Sequence, residues 1–446
     1  MSGEGGLGAP TRHAINWNDP DFYDAAKLDT ELRRVFDICH GCRRCFNLCD
    51  SFPRLFDLID ESDSGELDTV NSHNFAPVID ACTLCDMCFM TKCPYVPPHD
   101  FDLDFPHLML RARAIDFKAG KGKFFDKQLT ETDRNGKLGC SFAGLSNWAT
   151  KRGNALTRPL MESIAGVHAQ AELPKFNARS FVDQVRQQKP EINSHAPAYG
   201  RKVALYVTCF ANYNASKIAQ AAVQILAQNG VEVEVLYPGC CGMPQLEQGD
   251  LGRVAGQAKT VAGAFQPWID KGYRVVALVP SCALMMKFEW PLIVQGDESV
   301  QTLAAATSDI SEYICDIARN EGLAEGMKAL DGGVTVHIAC HARAQNMGHK
   351  AAEMLRLIPD TEIHVIERCS GHGGAWGVKK DNFDTALKIG KPAARQALKN
   401  ADPYLVSECP LARDHILQGI EQTDNTLKKP ETSRHPVELL ALAYGI

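Results

Sequence analysis

Two short runs of cysteine constrain this chain more than any other feature. The first run is Cys39-x2-Cys42-x2-Cys45-x3-Cys49, and the second is Cys82-x2-Cys85-x2-Cys88-x4-Cys93, followed by Pro94. Three cysteines at intervals of three surround one cubane cluster, and the fourth cysteine of such a run usually ligates the other cluster. The sequence therefore predicts two [4Fe-4S] clusters: cluster one on Cys39, Cys42, Cys45 and Cys93, and cluster two on Cys82, Cys85, Cys88 and Cys49.

A single zinc ion is the alternative to a cubane at each run. Zinc uses isolated C-x2-C pairs and tetrahedral four-ligand sites, in which the middle cysteines Cys42 and Cys85 would have no role. The second run departs from the usual cubane pattern because four residues precede its last cysteine, and the first run departs because Asp50 follows Cys49. Helix-like segments between the runs favour an all-helical ferredoxin-type domain. Because each run supplies a ligand to both clusters, we expect this domain not to fold without iron.

The composition agrees with a large metal protein from a reducing compartment. The chain has 446 residues, 17 cysteines and a formal net charge of −7, and a length of about 150 residues per domain gives roughly three domains. An odd number of cysteines in a long chain fits a secreted disulfide framework poorly. The mild acidity argues against nucleic acid or anionic lipid as the main partner. Since the first twenty residues lack a signal-peptide pattern, we expect a cytoplasmic location, either free or peripheral at the inner face of the membrane.

The second half of the chain contains an internal repeat. The segment KVALYVTCF at 202–210 parallels VTVHIACHA at 334–342, and each is an apolar, strand-like run that ends in cysteine. The interval from Cys209 to Cys240 is 31 residues, and the matching interval from Cys340 to Cys369 is 29. Helix-like segments separate the strand-like runs in both copies, and this alternation predicts parallel sheets with right-handed crossovers.

These patterns predict a multidomain protein of α and α/β class. A helical two-cluster ferredoxin-type domain comes first, and two tandem parallel βαβ cysteine-rich repeats follow it. The predicted boundaries are a tail at 1–28, the ferredoxin-type domain at 29–117, a helical bridge and linker at 118–199, repeat one at 200–328, and repeat two at 329–446.

The repeat cysteines fall at the carboxyl ends of the predicted strands, the edge at which open α/β sheets bind ligands. The candidate metal ligands are Cys209, Cys240, Cys241 and Cys282 in repeat one, and Cys340, Cys369 and Cys409 in repeat two. One interpretation is a further iron–sulfur cluster, and the other is a vestigial scaffold with buried thiols. His341 and His372 lie beside these thiols and either complete a site or have a structural role. No catalytic residue is assigned.

The motifs GCRRCFNLC, CTLCDMC, CCGMP, ACHARAQNMG and ECPLA together resemble a known family. It is the Cys-Cys-Gly cysteine-rich-domain family of iron–sulfur oxidoreductase subunits, found in heterodisulfide reductases and in the C subunit of anaerobic glycerol-3-phosphate dehydrogenase. The iron–sulfur subunits of glycolate and lactate oxidases are similar. In that family a complete repeat, C…CCG…C-x2-C, can bind a non-cubane cluster that cleaves a disulfide. This chain has Met285, Ser370 and Ala412 at three of those positions, which argues against that cluster.

The resemblance implies an iron–sulfur electron-transfer subunit. It would pass electrons between a flavoprotein dehydrogenase and a quinone or redox-protein acceptor. The rival interpretation is a disulfide or thiol reductase that acts at a cluster in the repeats, and the third is a zinc-holding scaffold. The sequence has no phosphate-binding loop that would predict a nucleotide or flavin site. Apolar and basic residues mix at 140–167, so this segment either lies on a membrane surface or packs onto the ferredoxin-type domain.

Overall fold

The computed structural model describes residues 10–185, 190–423 and 429–446. The first nine residues of the predicted tail and part of the predicted linker lie outside the described residues. The rest of the tail packs along the body of the protein. Ile15 is buried, and the Trp17 indole donates a 2.9 Å hydrogen bond to the Ile293 carbonyl. A 3-10 turn at Pro20–Tyr23 then leads into the first helix.

The cysteine-rich part is helical, and its described residues from 25 to 118 contain no strand. Phenylalanine rings fill its core: Phe52 lies 4.7 Å from Phe105 between ring centroids, and Phe36 meets Phe75 edge-on at 5.0 Å. The segments are α1 (Ala25–Cys42), α2 (Ser51–Asp60), the 3-10 turns Leu67–Thr69 and Ser72–Phe75, α3 (Ala76–Ala81), a π-helical turn (Cys88–Lys92) and α4 (Phe105–Lys118).

The π-helical turn explains the unusual spacing of the second cysteine run. The Cys93 amide donates a 2.8 Å hydrogen bond to the Cys88 carbonyl, which is the i to i+5 bond of a π-helix. A turn of this kind accommodates one residue more than an α-helical turn. The extra residue before Cys93 is therefore absorbed locally, and Cys93 still reaches the neighbouring thiols.

Five helices form the bridge: α5 (Phe124–Leu129), α6 (Thr132–Ser141), α7 (Ala143–Thr150), α8 (Thr157–Ala165) and α9 (Phe181–Val185). The helices α7 and α8 form a hairpin organised by Arg158, whose side chain is buried. The Arg158 guanidinium donates hydrogen bonds to the carbonyls of Thr150, His168 and Ala171 at 2.6–2.9 Å. Because those carbonyls come from the segments on both sides of α8, a single cation fixes the hairpin.

Repeat one is a four-stranded parallel sheet with the strand order β2-β1-β3-β4. Val203 pairs with Val233 in the first strand pair. Its segments are β1 (Lys202–Tyr206), α10 (Thr208–Tyr213), α11 (Ser216–Gln228), β2 (Glu232–Leu236), α12 (Met243–Glu247), α13 (Leu251–Ile269), β3 (Arg274–Ala277), α14 (Pro280–Leu284), the π-helical turn Met285–Glu289, α15 (Trp290–Ile293), α16 (Glu298–Ala306), β4 (Thr307–Asp309) and α17 (Ile310–Asn320).

Repeat two has the equivalent parallel order, β6-β5-β7-β8. Its segments are β5 (Val334–His337), α18 (Cys340–Ala344), α19 (Lys350–Leu355), β6 (Ile363–Ile366), the 3-10 turn Trp376–Val378, α20 (Phe383–Asn400), β7 (Tyr404–Ser407), α21 (Pro410–Glu421), β8 (Thr432–Arg434) and α22 (Pro436–Tyr444). In both sheets the first strand of the repeat lies between the second and third strands, and each candidate cysteine follows a strand.

One apolar core joins the two repeats. It includes Val203 and Val276 from the first sheet and Val334 and Val406 from the second, all fully buried. The helices α11 and α22 pack across the boundary, as do α17 and α19. The two ligand-bearing edges are therefore held in a fixed relation. In the described part of the chain no helix is long and apolar enough to cross a membrane.

Candidate metal centres

The structure brings Cys39, Cys42, Cys45 and Cys93 together. Burial and the neighbouring thiolates of Cys93, Cys45 and Cys42 raise the pKa of Cys39 well above its ordinary value. Burial and the Cys93 charge likewise raise the pKa of Cys45 to about 12. Four thiols that repel one another as thiolates need a positive group among them to ionise together. Iron supplies that charge and prefers sulfur ligands.

The second group consists of Cys49, Cys82, Cys85 and Cys88. Burial and the charges of Cys85 and Cys82 raise the pKa of Cys49, and burial with the charges of Cys85, Cys82 and Cys49 raises the pKa of Cys88. Cys49 is the last cysteine of the first run, but its thiol lies with the second group. Cys93 is the last cysteine of the second run, but its thiol lies with the first group. The charge of Cys45 also contributes to the raised pKa of Cys88, so the two groups are neighbours.

Backbone amides point at the sulfurs of these loops. The amides of Leu84 and Met87 donate to Cys82 and Cys85, and this partly offsets the burial that raises the pKa of Cys85 to about 12. Leu84 and Asp86 have positive φ angles of 49° and 62°, a conformation that non-glycine residues rarely adopt. The loop is therefore wrapped so that amides face sulfur, as cluster ligation requires.

The all-sulfur donor sets fit iron–sulfur clusters by their chemistry. Each group has four thiols that are buried or partly buried, and none is in a disulfide. Among the described residues, no three side chains of His, Cys, Asp or Glu are arranged to hold a single metal ion.

A buried ionic network joins the tail, the second cysteine loop and repeat one. The Arg12 side chain is only 12% exposed and donates to Asp86, Asp104 and Glu289 at 2.8–2.9 Å. His107 extends the network through a 3.1 Å contact with Glu289. Although burial opposes it, the charges of His107 and Arg12 lower the pKa of Glu289 to about 2. No sequence motif marks Arg12, and the sequence analysis missed it.

In repeat one the four candidate cysteines converge. The sulfurs of Cys209 and Cys240 are 4.0 Å apart, and hydrogen bonds from Cys209 and Cys241 lower the pKa of Cys240 well below its ordinary value. Cys241 in turn interacts with Cys282. The Gly242 amide donates to the Cys240 sulfur at 3.5 Å, and its φ of 84° favours glycine. These contacts favour ionisation of the Cys240 thiol.

The three candidate cysteines of repeat two lie against the second ferredoxin-type group. Burial and the charges of Cys85, Cys369 and Cys409 raise the pKa of Cys340. The charge of Cys369 also contributes to the raised pKa of Cys49. The Gly371 amide donates to the Cys369 sulfur at 3.3 Å. The repeat-two thiols are therefore next to the thiols predicted to hold cluster two.

The histidines beside these thiols have different surroundings. His341 contacts the Leu84 carbonyl at 3.2 Å, which joins repeat two to the second cysteine loop and fits the structural interpretation. Burial lowers the pKa of His372 to about 3, so its ring is neutral, and that ring is 6.4 Å from the His415 ring. Sequence reasoning did not single out His415. The remaining cysteines, Cys140 and Cys315, lie in the core and contact backbone carbonyls.

Comparisons with known proteins show the family to which this chain belongs. The family model described as "Cysteine-rich domain" matches residues 203–287 and 334–411, one match in each repeat. Lactate utilization protein A of Bacillus pumilus is 30% identical over 189 residues, which are 40% of this chain and 75% of that protein. The chain belongs to the Cys-Cys-Gly cysteine-rich-domain family of iron–sulfur oxidoreductase subunits.

Two relatives match over most of their length. The C subunit of anaerobic glycerol-3-phosphate dehydrogenase from Escherichia coli is 26% identical over 349 residues, covering 77% of this chain and 83% of the relative. The D subunit of dihydromethanophenazine:CoB–CoM heterodisulfide reductase from Methanosarcina mazei is 22% identical over 399 residues, covering 82% of this chain and 94% of the relative. Both are named as subunits of redox enzymes, and these matches support an electron-transfer oxidoreductase subunit with iron–sulfur clusters.

Proposed function

We propose that this subunit is an electron relay with two [4Fe-4S] clusters, placed between a flavoprotein dehydrogenase and a quinone or redox-protein acceptor. The grouping of the eight ferredoxin-type cysteines into two sets of four carries the proposal, because a crossed pair of four-thiol sets is the ligand arrangement of two adjacent cubanes. A further iron–sulfur cluster is proposed on Cys209, Cys240, Cys241 and Cys282. When bound, the clusters supply one-electron transfer, and the protein supplies burial and amide hydrogen bonds to sulfur.

The positions of the thiol sets suggest an order for the relay. The cluster-one thiols adjoin the cluster-two thiols through Cys45 and Cys88, and the cluster-two thiols adjoin repeat two through Cys85 and Cys340. Cluster two would thus lie between cluster one and repeat two. The flavoprotein or redox-protein partner would dock on the other side, near cluster one, where Cys45 is only partly buried.

The alternative, a disulfide or thiol reductase, depends on an open position for substrate in a repeat. Met285 is fully buried at the position where the family's complete repeat has cysteine, and Ala412 holds the corresponding position in repeat two. Neither residue can ligate iron as cysteine does or form a bond to substrate sulfur. This observation favours the relay.

The relay and the reductase predict different turnover by the purified subunit. We expect the iron-loaded protein, reduced by a low-potential dye, to reduce a soluble quinone repeatedly and to leave a disulfide such as oxidised glutathione unreduced. Steady disulfide reduction that disappears in Cys369→Ala, with quinone reduction unchanged, would favour the reductase instead. Cys315→Ala is the matched control, because Cys315 is a core thiol outside the candidate sets.

The helical hairpin of α7 and α8 supports a peripheral membrane contact. Seven large apolar side chains on and beside it are 51–76% exposed, so they do not pack onto the ferredoxin-type part: Leu138, Phe142, Leu145, Trp148, Leu156, Leu160 and Ile164. The stretch 134–161 contains no Asp or Glu, in a chain of net charge −7, and three of its basic side chains, Arg134, Lys137 and Lys151, are exposed. Apolar side chains bordered by cations fit an anionic lipid surface. On this ground we propose that the protein contacts the membrane peripherally, and the inner, cytoplasmic face remains the expectation from the sequence.

A double substitution in this hairpin tests the membrane contact. Leu156→Glu with Leu160→Glu should weaken binding to vesicles that contain phosphatidylglycerol by at least about tenfold, since two inserted leucines are replaced by charges. Vesicle flotation of the iron-loaded protein measures this. Leu442→Glu is the control, because Leu442 is 40% exposed on α22, outside the hairpin. Equal binding by the wild type and the double variant would refute the contact.

A further inference from the structure

The first turn of bridge helix α6 lies directly on the Cys-Cys-Gly loop of repeat one. Asp133, the second residue of α6, accepts a 3.1 Å hydrogen bond from the Cys240 amide through Oδ2. Its other oxygen, Oδ1, accepts a hydrogen bond from the Tyr237 hydroxyl. The side chain of Thr132 approaches the Cys240 sulfur from the same turn. A segment outside the repeat therefore supplies contacts to its thiol set.

Asp133 also puts a negative charge beside the thiols. The Asp133 charge contributes to the raised pKa of both Cys209 and Tyr237. The other carboxylate at this end of α6, Glu131, is neutralised by its ion pair with Arg253. Among the described residues Asp133 has no such cationic partner; it is held by an amide and a phenol, which are neutral donors. Its negative charge therefore acts on the thiol set that includes Cys209.

We propose that Asp133 is a positioning residue of the repeat-one metal centre, which fixes the Cys240 backbone and lowers the reduction potential of the cluster held there. The reasoning is electrostatic. Reduction adds an electron to the cluster, and a fixed negative charge nearby opposes this addition. By binding the Cys240 amide, Asp133 also keeps that N–H from donating to sulfur, where it would favour the reduced state. The inference rests on the further cluster of the proposed function.

Three variants of the complete iron-loaded protein test this inference in an EPR-monitored redox titration. Asp133→Asn keeps the size of the side chain and removes its charge, so the midpoint potential of the repeat-one cluster should rise while those of the other two stay unchanged. The control Asp270→Asn removes a charge at the far end of α13 in the same repeat. It should leave the midpoint potentials of all three clusters unchanged. Tyr237→Phe removes a donor that partly neutralises Asp133, so the potential should fall.

A structural role alone would not shift the midpoint potential of the repeat-one cluster in opposite directions in Asp133→Asn and Tyr237→Phe. If Asp133→Asn retains the third cluster at the wild-type potential, the inference is overturned and the relay stands. If the wild-type protein holds only the iron of two cubanes, the further cluster and this inference both fail, while the two-cubane relay stands. Should Asp133→Asn lose the cluster altogether, the shift in Tyr237→Phe alone decides: a fall supports the inference, and an unchanged potential overturns it.

Discussion

Replacing Cys49 with alanine should remove cluster two, held otherwise by Cys82, Cys85 and Cys88, and leave cluster one intact. Cys49 belongs to the first run in sequence, yet its thiol lies among the second group. A cubane that loses one of four protein thiolates is exposed to solvent at that iron and becomes labile. About four irons per chain should therefore be lost. Iron and sulfide analysis with EPR of the reduced protein measures this, because the spin coupling between the two clusters disappears with cluster two.

The reciprocal substitution and a neutral one complete this experiment. Cys93→Ala should remove cluster one, although Cys93 follows the second run in sequence. Cys140→Ala removes a core thiol that contacts the Tyr213 carbonyl and should leave the iron content unchanged. Loss of cluster one, and not of cluster two, in Cys49→Ala would show that each run holds its own cluster and that the crossed arrangement is wrong.

Replacing Arg12 with methionine should lower the free energy of unfolding by about 3–5 kcal/mol. The substitution leaves Asp86, Asp104 and Glu289 close together with only His107 to balance them, in a site where Asp86 and Glu289 are about 5% exposed or less. Buried carboxylates without a cation are costly because neither water nor a partner charge stabilises them. Arg12 also stacks on Phe89, 4.5 Å from the ring centroid, next to a predicted ligand. We therefore expect the variant to lose iron faster as well.

Anaerobic guanidinium unfolding of the iron-loaded protein measures this loss as a lower midpoint at an unchanged slope. Arg34→Met is the matched control, since Arg34 pairs with Glu31 on the surface of α1, and such pairs contribute about 1 kcal/mol or less. Adding Glu289→Gln to Arg12→Met removes one unpaired charge and should recover part of the loss. Equal midpoints for Arg12→Met and Arg34→Met would show that the network does not hold the domains together.

Local patterns in the sequence were enough to predict the parts of the fold that depend on neighbouring residues. Short apolar runs that end in cysteine predict strands with thiols at one sheet edge, and the structure has them there. The clusters that the cysteine spacing predicts stay a prediction. The parallel sheets of the two repeats follow from the strand–helix alternation. The all-helical character of the cysteine-rich part was likewise predicted from the segment between Cys49 and Cys82.

Contacts between distant residues could not be predicted in this way. Arg12 and Glu289 are separated by 277 positions, and Asp133 and Cys240 by 107. Nothing in the local sequence of either pair indicates its partner, because three-dimensional packing alone brings them together. The segment 140–167 had two interpretations, since its mixture of apolar and basic residues fits both a buried helix and a membrane-facing one. The exposure of Trp148 and Leu156 argues against packing of these side chains onto the ferredoxin-type part, and the membrane contact stays a prediction.

The most direct test of the electron-relay account is the iron and acid-labile sulfide content of the anaerobically purified protein, with low-temperature EPR after reduction. The account predicts about twelve irons and twelve sulfides per chain, four of each from every [4Fe-4S] cluster, and the broadened spectrum of two adjacent coupled clusters. Eight of each would remove the cluster from repeat one and leave the relay of cluster one and cluster two. Zinc without sulfide, or a single uncoupled cluster, would contradict the account.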